Sequence, residues 1–390
     1  MDTEKIFRDV LDEIAKENNY IDYKLQIKPI STGGANYTSV LYTGTISAAG
    51  KDDLKLFGKV ANISEKMRED ISPTLFDVER VAYTEILKVY EKIQNKHHIK
   101  DEDKLIFCKF YGFNSNAYQE TAVLEDLSTK GFSLHDRFQT VDWPYASKAV
   151  EVLGKLHALS MCFKEEYPES FQKYCNLLST LSEGVTDMFN KTFLTVLPIA
   201  KSAIYEDKME RFEAYFSKEE NIDFTNMFKT GLRPVLAHMD YRPSNLMHRN
   251  NEDGSLDMIP VDLQTMRPAS GILDLLYFIY LATDGAFRKK YYNNLIDLYY
   301  ATLSRMLRAY GLNPDKVYSR EDFDLELQER LPYGLMCAVF GLPVVTVESE
   351  DAPNLGDHDA SLDMFQMKAG KLLPQRLNDV IDDYIAFGIL

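Results

Sequence analysis

The hydrophobic period of this chain changes near residue 128, and that switch restricts the fold more than any figure of composition. Before it, the runs Lys24–Ser31, Thr38–Ser47, Leu54–Ala61, Leu105–Phe113 and Thr121–Leu127 are rich in Val, Ile, Thr, Tyr and Phe. Gly, Asn and Asp separate them, as expected of strands in an antiparallel sheet. Ile6, Val10, Leu11 and Ile14 fall at helical spacing in residues 4–17. Ser72–Pro73 supplies an N-cap and a first-turn proline for a helix running to about Gln94. After the switch, Ala146, Ala149, Val150, Leu153, Leu156 and Ser160 share one helical face, and further helices continue to the C-terminus. Only Val235–His238 and Met258–Asp262 read there as short strands. A chain of 390 residues exceeds one ordinary core. The expected architecture is therefore α+β and bilobal. A small antiparallel-sheet lobe takes residues 1–127 and a larger, mainly helical lobe takes 128–390, with a ligand site where they meet.

Charge narrows the function. The formal net charge of −16 argues against a nucleic-acid partner, since such surfaces neutralise phosphates with clustered Lys and Arg. The opening MDTEKIFRDV has no apolar core of a signal peptide. The longest apolar run, Leu275–Ala282, is far shorter than the roughly 20 residues of a transmembrane helix. Cys108, Cys162, Cys175 and Cys337 show no paired spacing and read as buried thiols. Together these place the protein in the cytoplasm, and a local basic pocket for a nucleotide remains allowed.

The chemistry is carried by HMDYRPSNLM (His238 to Met247) and IPVDLQT (Ile259 to Thr265). Asp240 and Asn245 lie five positions apart on a loop, because Pro243 forbids a regular helix or central strand there. Asp262 follows seventeen residues after Asn245, at the end of an apolar run. Phosphoryl transfer uses this set: one carboxylate accepts a hydroxyl proton, while an amide and a second carboxylate hold Mg²⁺ against nucleotide phosphates. The plainer alternative is a turn at Asp240–Asn245 and a helix cap at Asp262.

Upstream, Ser31, Gly33 and Gly34 open the run STGGANYTSV between two strands. Two glycines there let backbone amides approach phosphate, or simply make a hairpin turn. Lys59 ends a strand. Glu79 sits within the helical stripe Phe76, Tyr83, Ile86, Leu87 and Tyr90, where an unpaired carboxylate is costly. Lys59 is its expected partner, an arrangement that kinases use to hold the α- and β-phosphates. His157 reads as a core histidine, His238 as a loop-orienting one, and Asp274 as an anchor of the catalytic loop. Glu85, the pair His97–His98 and the segment Glu348–Asp359 read as solvated.

Taken together, these motifs resemble the ecdysteroid-kinase-like family, within the superfamily of choline kinases and aminoglycoside phosphotransferases. The resemblance runs from the Ser31–Val40 loop to the closing FGIL. It includes Phe76, Glu79 and Tyr83, VLEDL (Val123 to Leu127), LGKLHALS, HMDYRPSN, VDLQ and SGILDLLYF. It implies a protein-kinase-like fold, ATP and Mg²⁺ as cofactors, and an alcohol as phosphoryl acceptor. It further implies Asp240 as base, Asn245 and Asp262 as metal ligands, Lys59 with Glu79 on the phosphates, and Glu125 to Leu127 against the adenine. Two departures stand out: Met239 replaces a usual glycine, and Tyr241–Arg242 a usual leucine–tryptophan. An apolar alcohol such as an ecdysteroid is the expected acceptor, shaped by the aromatic-rich residues 163–234. A choline- or aminoglycoside-type kinase, or a silent kinase-like binding protein, are the alternatives.

Overall fold

A computed structural model describes residues 2–31, 38–65, 68, 74–182, 184–228, 230–352 and 365–390. Gly33, Gly34, the Ser72–Pro73 cap and residues 353–359 of the acidic segment lie outside the described residues.

Helix α1 (Thr3–Glu17) buries Phe7, Val10, Leu11 and Ile14 against a five-stranded antiparallel sheet. The strands are β1 (Lys24–Ile30), β2 (Ser39–Ser47), β3 (Leu54–Ala61), β4 (Phe110–Asn114) and β5 (Thr121–Glu125), in the order β1-β2-β3-β5-β4. The docking is close because two strand positions lack a side chain. A Cβ on Gly58 would stand 2.2 Å from the Phe7 ring, and one on Gly44 would stand 2.8 Å from Leu11.

The expected strand over Leu105–Phe113 is mostly absent, since the ladder takes only Phe110–Asn114. The Gln94 side chain explains the difference. It donates to the Leu105 carbonyl at 3.1 Å and accepts from the Leu105 amide at 2.7 Å. Those backbone groups are spent on a helix and not on the sheet.

That helix has three parts: α2 (Leu75–Val81), a π-helical turn (Ala82–Ile86) and α3 (Leu87–Lys96). The expected stripe holds, with Phe76, Glu79, Tyr83, Ile86 and Tyr90 buried. Two residues expected to be solvated are not. Glu85 accepts from the Tyr174 hydroxyl at 3.1 Å, and His97 Nε2 lies 2.5 Å from Glu166.

The helical lobe comprises α4 (Trp143–Glu166), α5 (Pro168–Leu181), α6 (Val185–Ser202), α7 (Glu206–Phe216) and the single turn α8 (Phe224–Met227). After the small strands described below come α9 (Gly271–Ala282), α10 (Gly285–Ala309), the short α11 (Pro314–Val317), α12 (Arg320–Thr346) and α13 (Leu373–Ala386). The aromatic residues of 163–234 pack largely on one another. Phe193, Phe212 and Phe224 are fully buried, and Phe189 meets Phe224, Phe228 and Phe340. The segment is core first. Among the described residues no helix is long and apolar enough to cross a membrane. All four cysteines are free and buried.

Candidate active site

Two small antiparallel strand pairs build the site, one nested in the chain between the strands of the other. Strands β7 (Leu246–Asn250) and β8 (Leu256–Pro260) pair from Leu246↔Pro260 to Asn250↔Leu256, closed by a turn with Gly254 at φ +82°. A positive φ of that size suits glycine. The open end of this hairpin sets Asn245 beside Val261, whose amide donates to the Asn245 carbonyl at 2.9 Å. The residue after Val261 is Asp262, so the hairpin returns it to the neighbourhood of Asn245 across seventeen positions of sequence. The second pair, β6 (Pro234–Ala237) with β9 (Arg267–Ser270), carries His238 and Asp240 at the exit of β6. Neither β7 nor β9 is legible in the sequence. LMHRN lacks alternation, and RPAS is four residues with a proline.

Asp274 anchors the loop between them. Its carboxylate accepts from the amides of His238 and Met239, both at 2.7 Å, and from His157 Nε2 at 3.1 Å. His157 Nδ1 in turn faces the Tyr299 hydroxyl at 2.7 Å. All three side chains are buried. The core-histidine reading of His157 and the anchor reading of Asp274 meet in one network, which spacing alone did not connect. The bond to Asp274 also holds Met239 at φ +65°, a backbone state that costs a non-glycine residue about 1–2 kcal/mol. A methionine therefore adopts the conformation that glycine takes freely. His238 orients the loop as expected: its Nε2 donates to the Val261 carbonyl at 2.9 Å, and its Nδ1 faces the Asp240 amide at 3.4 Å.

Asp240 itself is held on three sides. Asn245 Nδ2 donates to Oδ2 at 2.7 Å, and the Tyr277 hydroxyl donates to Oδ1 at 2.8 Å. Arg242 Nε lies 2.9 Å from Oδ1, an ion pair with its N–H off the hydrogen-bond line. Tyr277 carries no sequence signal, since it lies within the apolar run of α9. Burial pushes its hydroxyl well above the ordinary tyrosine range, and the Asp240 charge adds to that. It is therefore a proton donor at neutral pH.

The sheet supplies the other half. Lys59, 6% exposed, lies 3.1 Å from Glu79 Oε2 and 2.7 Å from Asp262 Oδ1. Burial works against the charged amine, but Asp262 and then Glu79 outweigh it and raise its pKa. Burial raises the Glu79 carboxyl above its usual range; Lys59 opposes this, and Asp262 adds to it. The Leu263 amide also bonds to Glu79. Asp262 stands at φ +64°, turned out of the β8 line toward the lysine. Lys59, Glu79 and Asp262 are thus brought together across the two lobes.

The oxygens left over suit a hard cation. The Asn245 amide spends its nitrogen on Asp240, and its oxygen accepts no hydrogen bond among the described residues. Asp262 spends Oδ1 on Lys59 and keeps Oδ2, with its side chain 24% exposed. Asn245 and Asp262 each leave one oxygen uncommitted among the described residues, and an amide and a carboxylate oxygen are ligands of the kind Mg²⁺ takes. The remaining expected positions are more peripheral. Ser31 is exposed just beyond β1. Glu125 ends β5 and pairs with Lys130, and Leu127 is buried in the turn that follows.

A model of the ecdysteroid kinase-like family matches residues 33–312. The chain belongs to that family. The match spans the lysine strand, the Asp240 loop, Asp262 and the Asp274 anchor, so the expected family relationship holds. A comparison with curated protein sequences finds no match. Among solved structures, an ethanolamine kinase of Plasmodium vivax is similar at 12% identity and a TM-score of 0.44, over 94% of this chain and 84% of that one. The GDP and kanamycin complex of the phosphotransferase APH(2″)-IIIa is similar at 11% identity and a TM-score of 0.38, over 83% and 97%. The GDP complex of aminoglycoside 2′-phosphotransferase-IIIa is similar at 10% identity and a TM-score of 0.39, over 96% and 98%.

Proposed function

We propose that this member of the family is an ATP- and Mg²⁺-dependent kinase that phosphorylates a hydroxyl group of a small-molecule alcohol. The reading rests on one observation above the rest: Lys59 from the sheet bonds both Glu79 and Asp262. A buried lysine held by two carboxylates is positioned to meet nucleotide phosphates between the lobes. The division between a nucleotide-binding lobe and an acceptor-binding lobe falls after Leu127. Ser31, Gly33 and Gly34 would cover the phosphates, and Glu125 to Leu127 would contact the adenine.

In this reading Asp240 accepts the proton of the acceptor hydroxyl. Asn245, Tyr277 and Arg242 fix its carboxylate, so that little reorganisation is needed when the hydroxyl arrives. Asn245 and Asp262 would hold Mg²⁺, which when bound neutralises charge on the transferring phosphoryl group. Lys59 and Glu79 would orient the α- and β-phosphates. The family supports an apolar alcohol such as an ecdysteroid as acceptor, and the four buried thiols suit a reducing cytoplasm.

A screen of ATP consumption against ecdysteroids, other hydroxysteroids, choline and aminoglycosides tests the acceptor. Turnover is expected with a steroid-like alcohol and not with choline. Saturable choline phosphorylation would replace this acceptor class with a cationic one.

A further inference from the structure

Arg267 is a buried cation that the site as described does not use. It opens β9, opposite Ala237 in the register, three residues before Asp240. Only 7% of it is exposed. Its Nε is buried without a partner, and no hydrogen bond or ion pair of its guanidinium occurs among the described residues. The guanidinium lies 4.3 Å from the centre of the Phe228 ring. That contact occupies one face of the fork and leaves the in-plane N–H donors unspent.

Its surroundings supply no compensating bond. Asp274 is a buried carboxylate whose charge acts on Arg267, but its oxygens already accept from two backbone amides and His157. Burial lowers the Arg267 pKa to about 10, and Tyr333 and Asp274 only partly oppose it. An orphaned buried charge is costly, and the guanidinium fork matches a planar carboxylate bidentately.

The register sets Arg267 beside the strand that leads into the Asp240 loop: it stands opposite Ala237, three residues before the base, while Tyr277 of α9 donates to Asp240 from the helical lobe. We infer that Arg267 binds an anionic group, a carboxylate or sulfate, carried by the acceptor alcohol itself. This deepens the kinase reading and rests on it for the word acceptor. The substrate class is then an apolar hydroxy compound with one acidic group.

Calorimetry on the full chain separates the two claims. The first probe is inorganic sulfate, with Mg·ADP present to occupy any phosphate site. The second is a hydroxysteroid carboxylic acid compared with its methyl ester. Sulfate is expected to bind the wild type, and the acid to bind about tenfold or more tighter than the ester. Arg267→Met should abolish both effects, while Arg267→Lys should keep part of them. Mg·ATP affinity and the melting temperature of Arg267→Met report its folding. If sulfate does not bind the wild type, or binds Arg267→Met equally, Arg267 is not an anion site. If Arg267→Met melts lower and sulfate protects neither protein, the residue is structural and the inference falls. Loss of Mg·ATP binding in the wild type would instead overturn the kinase reading and leave the sulfate result standing.

Discussion

Lys59 has three N–H donors and meets two carboxylates, so the cluster it forms with Glu79 and Asp262 carries one excess negative charge. Glu79 is fully buried in the helix stripe and depends on Lys59 for compensation. Replacing Glu79 with Ala should lower stability by about 2–5 kcal/mol, read as a lower urea midpoint, because it empties a packed position in the apolar stripe and removes the hydrogen bonds Lys59 makes to it. Lys59→Met should cost a comparable amount. The double variant should lose less than the sum, by roughly 0.5–3 kcal/mol. Strict additivity would mean that the two side chains do not act as one unit. At this scale the sequence was informative where chemistry conflicts with environment. A glutamate in an apolar stripe and an aspartate in an apolar run each announce a partner. Tyr277 and Arg267 announced nothing, because tyrosine suits an apolar helix and a lone arginine normally reaches water. Their roles depend on which strand and helix face them.

Elements, more than single residues, decide where Lys59 stands. Strand β3 is gripped from behind by α1, and the grip passes through the bare Cα of Gly58, next to Lys59 in the chain. Gly58→Ala would drive a methyl group into the Phe7 ring. It should cost about 1–3 kcal/mol by overpacking, seen as a lower melting temperature, and Phe7→Leu should recover part of the loss. An unchanged melting temperature would show that α1 does not clamp the sheet in this way. Strands with alternating or β-branched residues were legible from the sequence, and β3 matches its expected bounds, Leu54–Ala61. The failures have local causes. Gln94 diverts the backbone at Leu105, and β7 and β9 exist because tertiary partners pair them and not through propensity.

At the scale of the whole molecule, the sheet lobe and the helical lobe meet through Lys59 and Asp262, and the family match covers both sides of that contact. The switch in hydrophobic period made the two-part architecture readable. The aromatic-rich segment was less readable, because a pocket wall and a core share one composition. Its rings turned out to be spent mainly on each other. The site's assembly was legible only as a set of residue types. Its geometry depends on a hairpin that returns Asp262 to Asn245, and on an anchor that fixes Met239 with φ above zero.

The proposed roles of Asp240 as base and Asp262 as metal ligand predict different effects on nucleotide binding with and without Mg²⁺, which can be read without a known acceptor. Calorimetric titration of ATP into the wild type should show affinity strengthened by Mg²⁺. Asp240→Asn keeps the shape and the metal oxygens, so that strengthening should persist. Asp262→Asn removes the carboxylate proposed to hold the metal and should lose most of it. The opposite pattern, in which Asp240→Asn loses the Mg²⁺ effect and Asp262→Asn retains it, would mean the roles are reversed. A wild type that does not bind ATP with Mg²⁺ would contradict phosphoryl transfer at this site altogether.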